Sequence, residues 1–500
     1  MSSTFMGLSI ASRGLSASQV GLAVTTNNMS NIDTTGYSRQ VVNQTSIGPA
    51  AVYSNSLVGA GVDVTSVDRV YSFRLDQKYW QQNSGSSQWE AKSNYLEQVE
   101  TIFGSTDTND ISTAIDDFTA ELEELSTDPS SEVIRATVLE KAEEVCTTLN
   151  DVSTQLTQLR SDINSDVKTA VEQINSYTTQ IAELNNKIAV AKAAGASTNE
   201  LEDQEGVLVD ELSGLVGIDV TKTDEGTLTI TVAGNRLVSG NSVKELECYT
   251  VTDTTSDQYG MYGIRDAKSG EDFDVGDSGA LSGYIEVRDG NSSDSKGIPY
   301  YLNQLDEATR TFAQAFNEGI TSGTTTYSGH ADGVGLNDTT DIRFFSYNDL
   351  SSADFMASGV DTDAVYQNIT AANITVSKDI QEDIDQIAAS ADGDDGENEN
   401  LDDIISICTE ANVSGNATVS DLYSSMIATV GTASAYAKVE YNRKSTITSY
   451  IDTSRSSVSG VSSDEETVNL TKYQSAYSAS ATVMSTWSEI YETTLNMVNS

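Results

Sequence analysis

Few residues of this chain have the types and spacing that catalysis needs. His330 is the single histidine, and it is set in a loop rich in glycine and aspartate at 328–333. That context predicts a solvated loop residue. The lone histidine does not identify a Ser-His-Asp triad, because no second motif marks the serine or the aspartate. No histidine pair is available to bind zinc. An enzyme would need hydrolysis that depends on His330 or an acidic pair, and the sequence predicts no catalysis and no cofactor.

The acidic loop at 392–397 superficially resembles a calcium-binding loop. Counted from Asp392, the fifth position is Gly396 and the sixth is Glu397, whereas such loops need an oxygen ligand and then a glycine. The loop is therefore predicted to be solvated, without a metal. Paired carboxylates are so common in this chain that they cannot identify a glycosidase.

Cysteine and hydrophobic patterns exclude several further classes. Cys146, Cys248 and Cys408 are odd in number, widely spaced and without a C-x-x-C pair, so neither a disulfide framework nor a metal site is expected. Residues 1–14 lack the basic start and the apolar run of a secretory signal. No stretch approaches the roughly 18 apolar residues of a membrane span. We expect no membrane insertion and, if the protein leaves the cell, no cleaved signal peptide.

The charge is strongly negative and unevenly placed. The 500 residues carry 75 acidic and 27 basic groups, a formal net charge of −48. Residues 1–100 and 441–500 together carry only −3, which leaves −45 on the central 340 residues. Such a surface repels phosphates and anionic lipids, so nucleic acid is excluded as a partner. The split indicates ends packed against protein and a middle facing water, although an acid-rich proteome or a saline habitat is an alternative explanation.

Heptad patterns mark both ends of the chain. Near the N-terminus, within 4–32, one row recurs every seven residues and a row of mostly small residues follows it by three: Leu8, Leu15, Leu22 and Met29, then Ala11, Ser18, Thr25 and Ile32. The C-terminal pattern consists of Leu470, Tyr473, Tyr477, Met484, Trp487, Tyr491 and Val498, widened by Ala476, Val483, Ile490 and Met497. Two helices with wide apolar faces are predicted to pair with each other. A terminal pair that closes a monomeric bundle remains an alternative.

The middle of the chain is predicted to alternate between helical and β-rich segments. Residues 88–200 are mostly helical, with a break at Asp128-Pro129, a cap at Ser130 or Ser131 and an end at Gly195. Short alternating runs over 218–238 predict hairpins, and strands are expected to continue through 284–287. Helices are predicted at 201–216, 300–320 and 379–451, the last interrupted at 392–400, and 321–378 is predicted to be an inserted loop or a small β unit.

The predicted fold class is mainly α with a β insertion, an α+β multi-domain chain. It is expected to be an elongated helical hairpin in which the N- and C-terminal heptad helices pair as a coiled coil, with long central helices and a β-rich outer domain. The predicted domains are 1–87 with 445–500 (terminal coiled coil), 88–215 with 298–320 and 379–444 (central helical domain), 216–297 (β-rich outer domain) and 321–378 (variable insertion).

The segment after the first heptad resembles a known family. Residues 27–40 read NNMSNIDTTGYSRQ, which is similar to the N-terminal signature of flagellar rod, hook and hook-associated proteins. The ending at 36–40 is most similar to the members that join hook to filament. Ser30 stands where that signature usually has Ala, and Thr35 where Pro is common.

Further segments match the same family in the same order. They are 200–213 followed by 234–240, then 279–283 with 288–289, and finally 459–466 with 469–483. Glu205 and Gly206 replace the usual Arg-Asp of the 200–213 segment, and Ile320 takes the place of a frequent His. The resemblance covers roughly 1–320 and 430–500. It leaves out 321–378 and the acidic loop, which are expected to be variable.

The resemblance implies a structural component of the bacterial flagellum at the junction of hook and filament, without catalysis. It implies contacts with the hook protein, a second junction protein (hook-associated protein 3) and a ring of its own copies, together with a cytosolic export chaperone on the C-terminal helix. It also implies an extracellular location, reached through the flagellar type III apparatus. The terminal helices would pack when neighbouring subunits enclose them and would stay mobile in the free monomer. The expected interface residues are Leu8, Leu15, Leu22, Met29, Asn27, Asn28, Asn31, Gly36, Tyr37, Leu470, Tyr473, Tyr477, Val483, Met484, Trp487, Tyr491 and Val498.

Two other functions stay open from the sequence. Another axial component, such as the hook protein or a distal rod protein, is disfavoured by the 36–40 ending and by the long central helices. A surface adhesin that uses 321–378 to bind glycans or a host receptor would be supported if a 216–378 fragment retained binding, and this would not displace the junction role.

Overall fold

The computed structural model describes residues 6–53, 56–104, 110–359, 361–394 and 396–498. The predicted start of the first helix at Thr4 lies outside these residues, as does the side chain of Val498. The structure is 61% helical with small sheets, which confirms the mainly α fold class with β insertions. No helix within the described ranges is both long and apolar enough to span a membrane.

The helices, in chain order, are α1 (Met6–Ser30), α2 (Phe73–Phe103), α3 (Ile111–Thr127), α4 (Glu132–Ala193), α5 (Asn199–Leu215), α6 (Ala280–Asp289), α7 (Ile298–Glu318), α8 (Ser352–Met356), α9 (Thr362–Tyr366), α10 (Lys378–Glu382), α11 (Glu399–Thr409), α12 (Val419–Ser459) and α13 (Ser463–Val498). Helix α4 has 62 residues and is therefore about 90 Å long. It begins where predicted, because Pro129 interrupts the chain and Ser131 occupies the N-cap position.

The strands are β1 (Gln40–Ser46), β2 (Pro49–Tyr53), β3 (Ser56–Gly59), β4 (Val62–Arg69), β5 (Asp219–Lys222), β6 (Leu228–Val232), β7 (Asn235–Ser239), β8 (Ser242–Val243), β9 (Leu246–Thr250), β10 (Tyr262–Asp266), β11 (Ile320–Ser322), β12 (Thr325–Tyr327), β13 (Phe345–Tyr347) and β14 (Ile374–Val376). Strands β5 to β8 form an antiparallel sheet in sequence order. Ala233 and Gly234 turn the chain between β6 and β7 with φ of 47° and 79°, as a tight hairpin requires.

Two helix pairs bring the ends of the chain together. Helix α1 packs along α13, and α2 packs along α12, both in antiparallel directions. The pairing of α1 with α13 forms within one chain, and the expectation that neighbouring subunits are needed to order the ends stays a prediction. The physical reason for the pairing is that small residues of α1 let the two helices approach closely. The predicted domain boundaries at 87/88 and 444/445 fall inside α2 and α12.

Buried side chains form two hydrophobic cores. The first joins α3, the N-terminal half of α4, α7 and α11. The second joins the C-terminal half of α4, α5 and strands β5 to β10. Phe344, Phe345, Phe355, Tyr366 and Ile374 belong to the first core and are fully buried. The segment 321–378, predicted as an inserted loop or a small β unit, contains the short strand pairs β11–β12 and β13–β14 and contributes buried side chains to the first core.

Asparagines along α4 hold the β segments against this helix. The side-chain amide of Asn185 bonds the backbone oxygens of Leu228 and Gly240, and Asn185 accepts the Leu228 N–H at 2.6 Å. Asn175 bonds both backbone groups of Leu246 in the same way. These side chains provide hydrogen-bond partners for backbone N–H and C=O groups of the β segments, which would otherwise be buried without partners.

Two local expectations were wrong, and four strands had no counterpart in the predictions. Residues 284–287 lie in α6 and not in a strand, and the buried side chains of this helix join both cores, Leu281 the second and Val287 the first. His330 is 1% exposed and not solvated. Strands β1 to β4 were not predicted, although Val62, Val64 and Val67 lie in a β-prone stretch.

Candidate assembly interface

Glycines of α1 form the closest contacts with α13. Gly7, Gly14 and Gly21, spaced by seven, face Trp487, Ser480 and Tyr473, which are also spaced by seven. A Cβ atom added to these glycines would lie 2.1 Å from Cε2 of Trp487, 2.9 Å from Oγ of Ser480 and 2.5 Å from Cδ1 of Tyr473. These distances leave no room for a side chain on α1, so glycine sets how closely the two helices approach.

Small and polar residues occupy the centre of this seam. Ala11, Ser18, Thr25 and Asn28 are at most 5% exposed. The row of Leu8, Leu15, Leu22 and Met29 lies beside them and is half-buried. The heptad spacing predicts both rows and favours the leucines as the residues at the centre of the contact with α13. In the structure, the row of smaller residues lies at that centre. The leucine row therefore keeps part of its surface accessible.

Helix α13 presents one row to α1 and another to solvent. The inner row is half-buried and consists of Leu470, Tyr473, Tyr477, Met484, Trp487 and Tyr491. Val483 and Ile490 are each 46% exposed, and Met497 is 72% exposed. These three residues are spaced by seven, and with Ala476 we call them the outer row. An exposed apolar row of this length is typical of a surface that another protein covers.

Asn28 fastens the turn that follows α1. Its side chain donates to the backbone oxygen of Gln40 and accepts from the N–H of Gln40, both at 2.9 Å. The hydroxyl of Tyr37 donates to Oδ1 of Asn28 at 2.8 Å and accepts from Nδ2 of Asn27 at 3.2 Å. Asn31 donates to Asn27 at 3.0 Å. The Asn and Tyr residues of the family-like signature thus lie in one hydrogen-bonded turn that leads α1 into β1.

Gly36 and Tyr37 bring this turn against α5. Gly36 has a φ of 77°, and a Cβ at this position would lie 2.1 Å from Cγ2 of Val207. Burial, followed by the charges of Asp203, Glu200 and Glu466, raises the pKa of Tyr37 to about 12. Tyr37 is therefore neutral and remains a hydrogen-bond donor throughout the physiological range.

Three segments with family-like motifs meet at the turn. The N–H of Ser38 donates to Asp203 of α5 at 3.0 Å. Arg39 contacts Glu465 of α13 at 2.7 Å, and its N–H donates to the oxygen of Ser459 at 2.8 Å. The matching segments at 27–40, 200–213 and 459–466 are therefore neighbours in space. Their order in the sequence did not predict this meeting.

Glu202 is the centre of a charged cluster beside the turn. It lies 3.0 Å from Arg69, 2.7 Å from Lys192 and 2.9 Å from Lys222. Burial opposes ionisation, but hydrogen bonds from the two lysines and the charge of Arg69 lower the pKa of Glu202 to about 2. The cluster connects α4, α5, β4 and β5.

Arg455 connects α12 with α2 and α5. Its guanidinium lies 3.0 Å from Asp76 and 2.9 Å from Asp210. The indole N–H of Trp80 donates to the other oxygen of Asp210 at 2.6 Å. These contacts hold the base of the terminal helix pair on the body of the chain.

His330 has a structural role. Its Nδ1 lies 2.7 Å from the oxygen of Ile342, and its Nε2 accepts the N–H of Ala388 at 2.9 Å. Burial lowers the pKa of His330 to about 4, so the ring is neutral and donates through Nδ1. Within the described residues, no group of three or more His, Cys, Asp or Glu side chains is arranged to bind a metal.

Comparisons with known proteins give consistent results for each part of the chain. Residues 96–345 match the family described as the flagellar hook-associated protein FlgK helical domain. Residues 8–37 match the flagella basal body rod protein family, and residues 453–497 match the flagellar basal body rod FlgEFG protein C-terminal family. The two ends that match rod families are the ends that pair as α1 and α13.

Relatives match over nearly the full length. Flagellar hook-associated protein 1 of Bacillus subtilis (strain 168) is 30% identical over 99% of both chains. The protein of the same name from Escherichia coli (strain K12) is 25% identical over 97% of this chain and 98% of its own. The solved structure of the flagellar hook junction protein FlgK from Burkholderia pseudomallei covers 77% of this chain and 100% of its own, with a TM-score of 0.60 at 15% identity, which supports the fold.

Proposed function

The chain belongs to the flagellar hook-associated protein 1 family and is a structural component of the flagellum, and on this basis we propose that it forms the junction between hook and filament. In this proposal, the paired helices α1 and α13 assemble with those of neighbouring copies. The protein acts by assembly and not by catalysis.

The outer row of α13 is the observation that carries this proposal. Val483, Ile490 and Met497 are exposed on the side of α13 that α1 leaves open. Burying such side chains contributes about 1.5–3 kcal/mol each when they leave water completely. Because Val483 and Ile490 are already about half-buried, at 46% exposed, a neighbouring copy that covers this row gains roughly half of that contribution for each of them, without disturbing the pairing inside the chain.

We propose that the half-buried leucine row of α1 forms the opposite side of the same interface. Leu8, Leu15, Leu22 and Met29 retain accessible surface next to the glycine seam. A ring needs two different surfaces on each subunit, because the contacts between successive copies are head-to-tail. The leucine row and the outer row supply two such surfaces.

We assign a positioning role to the turn residues expected at the interface. Asn27, Asn28, Asn31 and Tyr37 form hydrogen bonds with each other and with Gln40, and Gly36 packs against Val207 of α5. They would set the angle at which the helix pair leaves the body and so act on assembly through geometry.

The proposed partners are the hook protein on one side, a second junction protein (hook-associated protein 3) on the other and further copies of this chain in a ring. Export would proceed through the flagellar type III apparatus, with a cytosolic chaperone that covers α13 beforehand and an extracellular final location. Because α13 has an apolar row on two sides, a free chain in the cytosol would be prone to aggregate without such a cover.

The proposed organisation keeps 1–87 with 445–500 as the terminal unit and 216–297 as the β-rich outer unit. The central helical unit comprises 88–215, 298–320 and 379–444. The segment 321–378 shares its core with this central unit. The continuous helices α2 and α12 cross the boundary between terminal and central units, which would transmit mechanical load between them.

Deletion of the gene tests the junction role. We expect cells that keep hooks, lack filaments and shed monomeric flagellin into the medium, with swimming restored by the full-length gene on a plasmid. Normal filaments in the deletion strain would refute the proposal, as would cells without hooks, since the latter would indicate a rod or hook function.

A further inference from the structure

A cavity lies where the turn after α1, α2, α5 and the α12–α13 connection meet. Its volume is about 680 Å³, which exceeds that of a small organic molecule. Its lining includes residues 32–38, the first turns of α2, one face of α5 and residues 459–461. The cavity therefore borders each of the segments that hold the terminal helix pair on the body.

Acidic groups outnumber basic groups in the lining. Eight carboxyl groups border the cavity, against the three basic side chains of Arg69, Lys222 and Arg455. All three form ion pairs, Arg69 with Glu202 and Asp203, Lys222 with Glu202, and Arg455 with Asp76 and Asp210, while Nε of Arg69 and Nη1 of Arg455 have no hydrogen-bond partner among the described residues. The remaining carboxyl groups give the cavity an excess of negative charge that favours a cation.

Among the carboxyl groups of the lining, Glu205 is the one that a ligand would bind specifically. Glu205 is among the residues that line the cavity, it is 2% exposed, and its Oε1 has no hydrogen-bond partner among the described residues. A buried acceptor without a partner costs about 1–3 kcal/mol. A ligand with N–H donors would remove that cost at this atom.

The surroundings of Glu205 explain why it does not ionise by itself. Glu202 faces it from α5, Lys192 from α4, Lys222 from β5 and Arg69 from β4. The three basic groups are engaged by Glu202. Burial therefore dominates and raises the pKa of Glu205 to about 8, which keeps it protonated at neutral pH.

We propose that this cavity binds an organic cation through an ammonium or guanidinium group that pairs with the carboxylate of Glu205. A bare metal ion fits less well, because no set of three or more metal-ligating side chains is arranged for it within the described residues. The cation is either a free diamine or the basic side chain of another protein chain.

Binding exchanges one proton for one cation. The carboxylic acid of Glu205 gives its proton to the buffer, and the carboxylate then accepts hydrogen bonds from the ligand's positive group. The ligand enters as the cation and keeps its own protons. With a pKa of about 8 for Glu205, roughly nine-tenths of the molecules carry this proton at pH 7, so binding should release about 0.9 proton per site.

Titration calorimetry of the full-length chain at pH 7, in phosphate and in MOPS, which differ in ionisation enthalpy and contain no primary ammonium group, measures affinity and proton release together. The probes are putrescine, as a free diamine, and Nα-acetyl-arginine amide, as a protein side chain. Saturable binding at one site with about 0.9 proton released supports the proposal, and the tighter probe identifies the source. Absence of binding by both probes at 10 mM overturns it.

Glu205→Gln and Glu211→Gln form a matched pair of variants. Both residues border the cavity, but Glu211 is exposed. We expect Glu205→Gln to weaken binding at least tenfold and abolish proton release, whereas Glu211→Gln changes affinity less than threefold. If both variants weakened binding equally, the binding would depend on general electrostatic attraction and not on Glu205, which would contradict the proposal.

A measurement on the unmodified chain covers the case in which Glu205→Gln fails to fold. The affinity for putrescine should rise about tenfold between pH 7 and pH 9, because Glu205 loses its proton in that range without the ligand. Putrescine keeps most of its charge up to pH 9. An affinity that is constant or falls over this range would overturn the proposal.

Discussion

Gly21 of α1 lies directly against the ring of Tyr473 of α13, with no space for even a methyl group between the helix and the ring. The relationship recurs one heptad earlier in α1, at Gly14 with Ser480, and two heptads earlier, at Gly7 with Trp487. The distance between α1 and α13 is therefore set by glycines of α1, which leave space for the larger side chains of α13. The leucines beside them stay available for contacts outside the chain.

The first prediction concerns Gly21→Ala. A Cβ would lie 2.5 Å from Cδ1 and 2.8 Å from Cγ of Tyr473, so rotation of the ring does not relieve the overlap. We expect a loss of about 1–3 kcal/mol in the stability of the α1–α13 pair, larger than the roughly 1 kcal/mol that alanine adds in a helix. Hydrogen exchange of α1 and α13 amides measures this loss.

Gly206→Ala in α5 is the matched control, because nothing lies within 4 Å of a Cβ at this position. It should gain about 1 kcal/mol from helix propensity alone. Equal protection of α1 in Gly21→Ala and in the unmodified chain would show that the seam tolerates a methyl group.

The second prediction concerns pH and His330. Its pKa is about 4 in the folded chain and about 6.5 in the unfolded chain. The unfolded chain therefore binds more protons between these values, so the stabilisation is complete above pH 6.5 and is lost as the pH falls to 4. We expect a loss of up to about 3 kcal/mol over this window.

His330→Gln isolates this contribution from that of the many carboxyl groups. Urea unfolding of both proteins at several pH values should give a difference in stability that shrinks as the pH falls. A difference that stays constant from pH 7 to pH 4 would mean that His330 does not titrate on unfolding.

The third prediction concerns Arg455→Ala. This change leaves Asp76 and Asp210 without their shared guanidinium, and their side chains are only 20% and 25% exposed. We expect a loss of about 2–3 kcal/mol in urea unfolding at pH 7. Arg443→Ala is the control, because Arg443 is 57% exposed and pairs only with Glu440 in the same helix. Its loss should stay below about 0.5 kcal/mol.

The heptad spacing was enough to predict the paired ends, since it identified both rows of α1 and the inner and outer rows of α13. It did not predict which row of α1 lies at the centre. Hydrophobicity favours the leucine row at the centre of the contact. The row that lies there in the structure is instead determined by how Gly21 and Gly14 fit against particular side chains of α13. That fit is a property of two distant segments and leaves no local signal.

Long-range contacts also explain the other differences. His330 is buried because Ile342 and Ala388, 12 and 58 residues away, bond its two ring nitrogens. The polar composition of 321–378 suggested an inserted loop or a small β unit, but a few aromatic residues decide its packing. Phe344 and Phe345 were the signal within the segment, because two adjacent phenylalanines are rarely left in water.

The fourth prediction follows from this packing. Phe345→Ala should destabilise the chain by about 3–5 kcal/mol, because Phe345 is fully buried among Phe118, Phe312 and Phe316. Deletion of 321–378 should expose the first core and give a chain that does not fold cooperatively. Tyr259→Ala is the control, since Tyr259 is 57% exposed. A deletion variant that folds and restores swimming would show that the segment is dispensable after all.

The most direct test of the assembly account is a deletion strain complemented with Val483→Asp/Ile490→Asp and, separately, with Ser478→Asp. All three positions are exposed on α13, so each protein should fold and keep its thermal unfolding midpoint. The account predicts hooks without filaments and flagellin in the medium for the double variant, with normal swimming for Ser478→Asp. Normal filaments with the double variant would contradict it.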